Sequence, residues 1–514
     1  MRVARMHILH GFRAVSMAWA TRIPHRFRAD FGALATRMPH GLRVILGVFA
    51  TVILIAATCA NPSRALADHK QIVFFEAPSE LLNPSLRSEA IAQLKGLGVK
   101  ALRVELHWHD VAPDPNSANR PSFDAENPAS YDWSQYDLLI AEAQRLHWKV
   151  LLTLTSPVPR WATANHDDLI TRPDDQDFEE FAMAVGRHYG SQVSLWAIWN
   201  EPNVPGWLAP QFNANGTPAS PRIYRGLFEA GYAGLTASGL KSPKVLFGET
   251  APFGTDAVDA GREGVEREVA PLAFLRAALC LTSSYQKNGA CKMLPIYGYA
   301  HHPYTYPAVP GPYYRPTNQD DVPIGALSRL SHAIYLASRA HAIPAHVPIY
   351  LTEYGVQTKP SLLGVSLSRQ AEDAAISERL AWENPDVASF SQYLLRDEHS
   401  HGRYVGYRTG IETPNGAPKP SYYGFALPLT VTRATAKGAS GFLLWGLVRP
   451  ANGATDVRVL IKPSRSQGYR TLGVVDTDAD GYWKLRSSAQ GVDWRVSWRN
   501  PSGKVYTGPA IAAF

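Results

Sequence analysis

Eight short apolar runs, set apart by segments of helical period, constrain what this chain can fold into more than any other feature. They lie at 72–76, 101–108, 150–155, 193–200, 245–249, 297–302, 349–353 and 389–395. Helical stretches fall between them, for example at 88–97, 136–146, 178–189, 223–237 and 327–340. Short apolar runs alternating with longer helical segments signal βα units and a parallel sheet. Eight is the number that closes a barrel, so the expected fold is α/β, a (β/α)8 TIM barrel. Beyond about residue 425 the helices stop. Strand-like runs at 442–448, 457–461, 469–475 and 494–498, parted by turn-forming residues at 476–481 and 500–503, predict a small Ig-like β-sandwich. A chain of 514 residues suits one large domain plus a smaller one. The expected division is a leader at 1–67, a barrel at 68–424 and a sandwich at 425–514.

The charge is distributed unevenly. Residues 1–67 hold nine arginines, no lysine and one aspartate, a net of +8 against +7 for the whole chain. Residues 68–514 therefore carry −1, and the basic excess belongs to the leader rather than to a nucleic-acid-binding surface. Within the leader, the 14 apolar residues 44–57 follow Arg43 and precede Ala65-Leu66-Ala67, the pattern of a cleaved secretory signal. The run is short of the roughly 20 residues that span a bilayer, so an uncleaved anchor is the minor alternative. Residues 1–37 lengthen the leader unusually, and a start at Met38 would give an ordinary one. The mature protein is expected to be secreted or extracytoplasmic and not membrane-bound. There Cys280 and Cys291 are close enough in sequence to close a disulfide loop. Cys59 would leave with the leader.

Three connections exceed what a minimal barrel needs: 111–132, 252–269 and 306–324. Each follows a strand's carboxyl end, the face on which barrels build their sites, so a groove is expected there. Two strands end in an acid on that face. Glu201 closes Leu-Trp-Ala-Ile-Trp-Asn-Glu, and Glu353 closes Ile-Tyr-Leu-Thr-Glu. Two acids facing each other across a barrel mouth suit paired-carboxylate chemistry, in which one protonates a leaving oxygen and the other attacks or activates water.

These motifs resemble the clan A glycoside hydrolases, with families 5 and 39 nearest, over roughly residues 70–425. Asn200-Glu201-Pro202 matches the Asn-Glu at the end of strand four, and Glu353 the glutamate at the end of strand seven. The resemblance implies a retaining β-glycosidase in which Glu201 is the acid/base, Glu353 the nucleophile and Asn200 the donor to the sugar 2-hydroxyl. It further implies that Arg103 of strand two keeps the nucleophile ionised. In His302-Pro303-Tyr304, it gives Tyr304 a hydrogen bond to the nucleophile and places His302 in the glycone subsite. The eighth-strand tryptophan common in family 5 has no clear counterpart in 390–397. The chemistry calls for no cofactor, and the expected partner is a carbohydrate. The alternatives are a non-catalytic carbohydrate-binding or exopolysaccharide-accessory protein on the same barrel, and a transglycosylase using the same residues.

Trp108, Trp161 and Trp207, at or just beyond strand ends, are candidates to stack on sugar faces. Glu249 is a third carboxylate at the mouth, suited to hydrogen bonding rather than reaction. His107/His109 and His301/His302 suggest metal ligands, but adjacent strand residues face opposite ways and no acid or Cys set completes a site. The turn 476–481 lacks the glutamate that a calcium loop needs, with Ser487 in its place, and reads as a hairpin.

Overall fold

The computed structural model describes residues 71–258, 267–305, 311–400, 405–434 and 441–514. The leader, its signal and Cys59 lie outside these residues, as do parts of two of the long connections. No described helix is long and apolar enough to cross a membrane.

Eight parallel strands close a barrel in sequence order: β1 (Ile72–Glu76), β2 (Ala101–His107), β3 (Lys149–Thr155), β4 (Leu195–Ile198), β5 (Val245–Thr250), β6 (Gly298–His301), β7 (Ile349–Leu351) and β8 (Val387–Tyr393). β8 pairs back onto β1 from Ile72↔Ser389 to Glu76↔Tyr393. Helices lie between the strands, as the sequence pattern predicts, and cover the outer strand residues. The helix Asp175–Tyr189 shows how sequence sets one. Asp174 caps it by accepting from the amides of Gln176 and Asp177, and its apolar face buries Phe178, Phe181, Ala182 and Val185. Two helices between barrel strands, Pro271–Ala278 and Leu367–Glu383, were not among the stretches picked out by period.

Seven more strands follow the helix Pro420–Ala426: β9 (Leu429–Arg433), β10 (Phe442–Leu447), β11 (Asp456–Lys462), β12 (Arg470–Asp476), β13 (Tyr482–Ser487), β14 (Asp493–Arg499) and β15 (Val505–Thr507). They form two antiparallel sheets, β13-β10-β9 and β12-β11-β14-β15. Trp483, Trp494 and Trp498 are buried in this region's core rather than offered to a ligand. The 476–481 turn is not the expected hairpin: β12 and β13 belong to different sheets, so it crosses from one to the other, with Asp478 accepting from the amides of Asp480 and Tyr482. These sheets dock on the helix Leu367–Glu383. Arg449 bonds both oxygens of Glu378 at 2.7 and 2.8 Å and lies over the Phe425 ring, while Trp382 packs against Trp445 and Tyr482. Cys280 and Cys291 are joined as a disulfide.

Candidate active site

The site follows from strand periodicity. Phe74, Ala101, Leu151, Leu195, Ala197, Leu246, Ala300 and Tyr350 form an apolar cluster inside the barrel. Side chains on a strand return to the same face every two residues. Two steps toward the carboxyl ends therefore place Glu76 above Phe74, Arg103 above Ala101, Thr153 above Leu151, His302 above Ala300 and Thr352 above Tyr350. The barrel is apolar at this level and polar at the next, which is where its mouth begins.

Arg103, 1% exposed, is the hub of that polar layer. Its Nη1 donates to Glu76 at 2.7 Å and to Glu353 at 3.1 Å. Its Nη2 donates to Asn200 Oδ1 at 2.7 Å, Glu249 at 2.8 Å and Glu105 at 3.1 Å, and its Nε to Glu249 at 3.2 Å. A planar guanidinium with five N–H donors can hold so many acceptors at once, whereas an ammonium cannot. With Oδ1 taken by Arg103, Asn200 has its amide N–H groups left for a substrate hydroxyl.

Glu201 and Glu353 meet through His302. Its Nδ1 lies 3.1 Å from Glu201 Oε1 and 3.6 Å from Glu353 Oε2, and its Nε2 lies 3.1 Å from Thr352 Oγ1. Those two carboxylate oxygens are thus within ~6.7 Å of each other, the two legs laid end to end. Tyr304 donates its hydroxyl to Glu353 Oε1 at 2.6 Å. Both acids keep an open edge, with side chains 18% and 12% exposed.

Burial governs the proton affinities. It pushes the Glu353 carboxyl above its ordinary range, although His302 and Arg103 pull the other way. Arg103 is present as the resemblance implies, but shared among four carboxyl groups it does not hold Glu353 below the usual value. Burial works against the charged form of His302 as well, yet Glu353 and Glu201 raise it overall. Glu105 is brought down to about 2, because Arg103 and then His107 outweigh its burial. His107, between Asp110 and Glu105, rises to about 9 against the effect of burial.

Backbone strain is concentrated at the same place. Trp199, Glu201 and Glu249 hold φ of 71°, 38° and 48°, a region costly for residues with a side chain. Gly248, at φ 118° and with Ala300 O where a Cβ would sit, lets β5 bulge before Thr250. Beside that bulge the Glu249 carbonyl accepts from the Glu201 amide at 3.0 Å.

The structure gathers Arg103, Asn200, Glu201, His302, Tyr304 and Glu353 in one mouth and corrects three expectations. His302 does not line an open subsite, for its side chain is 0% exposed and its ring nitrogens face Glu201, Glu353 and Thr352. Trp108 is fully buried, stacked on Phe181 at 5.1 Å and packed edge-on to Trp161, so it cannot meet a sugar. Trp161 is also core, donating to Pro113 O with Phe123 and Arg120 against its ring. Trp108→Ala is accordingly expected to lower unfolding free energy by about 3–5 kcal/mol in denaturant titration. KM would stay within about twofold, and a raised KM at unchanged stability would return Trp108 to the mouth. Trp207 is half-buried with its ring 6.4 Å from His107, on the rim.

Glu76, Glu105 and Tyr393 join the site although the sequence reading gave them no role there. Tyr393 closes β8, and after burial the charge it feels most is that of Glu353, so an aromatic does stand at the end of strand eight. Among the described residues, Glu76, Glu105 and Glu353 each bring an oxygen within 4.8 Å of the others. The Arg103 guanidinium bonds all three and supplies the positive charge that a metal ion would bring. The histidine pairs are engaged elsewhere, His109 with Asn116 and His301 with Thr250 and the Val322 carbonyl.

No known sequence-family profile matches the chain. Among solved structures, a family 39 glycoside hydrolase from Bacteroides cellulosilyticus WH2 superposes with a TM-score of 0.51 at 16% identity, over 83% of this chain and 81% of that one. This chain is similar to the clan A glycoside hydrolases. At that identity the likeness establishes the fold. Two curated relatives match short stretches. Beta-glucosidase 47 of Arabidopsis thaliana is 27% identical over 112 residues, 22% of this chain and 19% of that protein. Thermostable beta-glucosidase B of Thermobispora bispora is 28% identical over 145 residues, 26% of this chain and 27% of that protein.

Proposed function

We propose that this chain is an exported retaining β-glycosidase that cleaves an oligo- or polysaccharide by double displacement. The observation that carries the reading is the pair Glu201 and Glu353, with open edges, on one imidazole nitrogen. The oxygens they turn to that nitrogen are within ~6.7 Å of each other, which admits the roughly 5–5.5 Å spacing of retaining enzymes. Glu353 attacks the anomeric carbon as Glu201 gives its proton to the departing oxygen, and a glycosyl ester forms. Glu201, now a carboxylate, takes a proton from water, whose oxygen displaces Glu353 and restores both groups. Asn200 holds the 2-hydroxyl, a contact that tightens in the transition state.

The β-glucosidase names of the relatives make aryl β-glucosides the first substrates to try. A binding protein that had lost turnover would have no need to keep Glu201, Glu353, Arg103 and Tyr304 in hydrogen-bonded register, which favours the enzyme reading. A transglycosylase would share every step but the last. Export rests on the leader at 1–67.

Proton NMR of a fresh hydrolysis tests stereochemistry. The β-anomer should appear first; first appearance of the α-anomer, or no turnover of any glycoside in a broad panel, contradicts the proposal. Glu201→Ala is expected to slow a substrate with a poor leaving group by about 10²–10⁴-fold. With an activated aryl glycoside, whose leaving group departs unprotonated, added azide should displace Glu353 from the glycosyl ester, restore turnover and yield a β-glycosyl azide.

A further inference from the structure

Four carboxyl groups, Glu76, Glu105, Glu249 and Glu353, surround the single guanidinium of Arg103, with side chains 3%, 16%, 0% and 12% exposed. Even with the imidazoles of His107 and His302 beside Glu105 and Glu353, the positive groups are fewer than these four carboxyl groups, and Glu201 also draws on His302. Glu76, Glu105 and Glu353 each bring an oxygen within 4.8 Å of the others, so their charges would repel strongly in a site largely shut off from water. A cluster like this keeps a proton, and the bonding pattern says where.

Glu249 takes two bonds from Arg103 and a third from Thr153. Glu105 has Arg103 and the imidazole of His107. Glu353 has Arg103, Tyr304 and His302. Glu76 has one bond, to an Nη1 that it shares with Glu353. The groups that act on it are Arg103 and Glu105 from β2, Glu353 from the end of β7 and Tyr393 from β8. Of these only Arg103 favours its charge.

We propose that Glu76 is a further positioning residue of this site, a carboxyl group carried as the neutral acid. It anchors Arg103 Nη1 through a carbonyl-like oxygen and leaves the guanidinium's charge to Glu353. The role assigned to Glu353 rests on the glycosidase reading; the protonation of Glu76 does not. Consistent with this, burial pushes the Glu76 carboxyl well above its ordinary range, Arg103 opposes, and Glu105 and Glu353 push further upward.

The direct test is the infrared difference spectrum between the wild-type protein and Glu76→Gln near neutral pH. A carbonyl stretch of a protonated carboxyl group, present in the wild type and missing from the variant, is expected. Its absence from the wild type overturns the proposal, and this reading requires no turnover, so it stands apart from any failure of the glycosidase assignment. In kinetics, Glu76→Gln should keep the acid limb of kcat/KM in place, because it replaces a neutral acid with a neutral amide. A limb moved down by about one pH unit or more would mean that a negative neighbour had been removed, which also overturns it. Glu76→Ala, which leaves Arg103 unanchored, should lose about 10- to 100-fold in kcat, with glutamine restoring it. Equal impairment of the two variants, or none in either, contradicts the positioning role.

Discussion

Glu353→Gln should fold as the wild type does and lose on the order of 10⁴–10⁶ in kcat, the scale seen when a covalent nucleophile is removed. The amide keeps the volume and an oxygen for Tyr304, so the loss is chemical rather than structural. The same carboxyl sets the acid limb of activity. Its pKa in the folded protein is raised by burial, and only the ionised form attacks. Activity should therefore fall as pH drops through a value above the ordinary glutamate range. A limb at or below that range would show that Arg103 and His302 overcome burial.

Arg103→Lys should have the second largest effect, and it should be twofold in kind. An ammonium cannot span Asn200 and four carboxyl groups, so acids now paired would face one another uncompensated. Breaking a buried ion pair costs about 3–5 kcal/mol, read as a lower melting temperature. Turnover should drop about 100-fold through misplacement of Glu353 and Asn200. The acid limb should move to higher pH, since the cation that favours the ionised nucleophile is weakened. Unchanged stability and an unmoved limb would remove Arg103 from its place as hub.

Much of this architecture is legible in the sequence because a parallel barrel repeats one local rule. Each β strand is an apolar run, and an acid that closes the run at its carboxyl end stands at the mouth. Glu201 and Glu353 were visible on that rule. Glu76 carries the same signature, ending Ile-Val-Phe-Phe-Glu, but with the catalytic pair already assigned it had no role until Arg103 brought it against Glu353. Parity also explains the misplaced tryptophan. Arg103 points inward, so Glu105 and His107 do too, and Trp108 falls on the outer side beneath Phe178 and Phe181. Trp161 sits in a 3-10 turn, Arg160–Ala162, where there is no strand parity to read. The bulge at Gly248 depends on the close approach of Ala300, a tertiary fact that no run of residues announces. Strands β9, β13 and β15 were missed where helix, turn and short strand follow one another too closely for a period to emerge.

The central claim is that Glu353 forms a covalent bond to sugar. It is tested by intact-protein and peptide mass spectrometry after incubation with a panel of activated 2-deoxy-2-fluoro β-glycosides, comparing wild type with Glu353→Gln. The account predicts a gain of one glycosyl unit on the peptide containing Glu353, absent in the variant and naming the glycone. A label on another residue, or none from any sugar while natural oligosaccharides still bind, would contradict it.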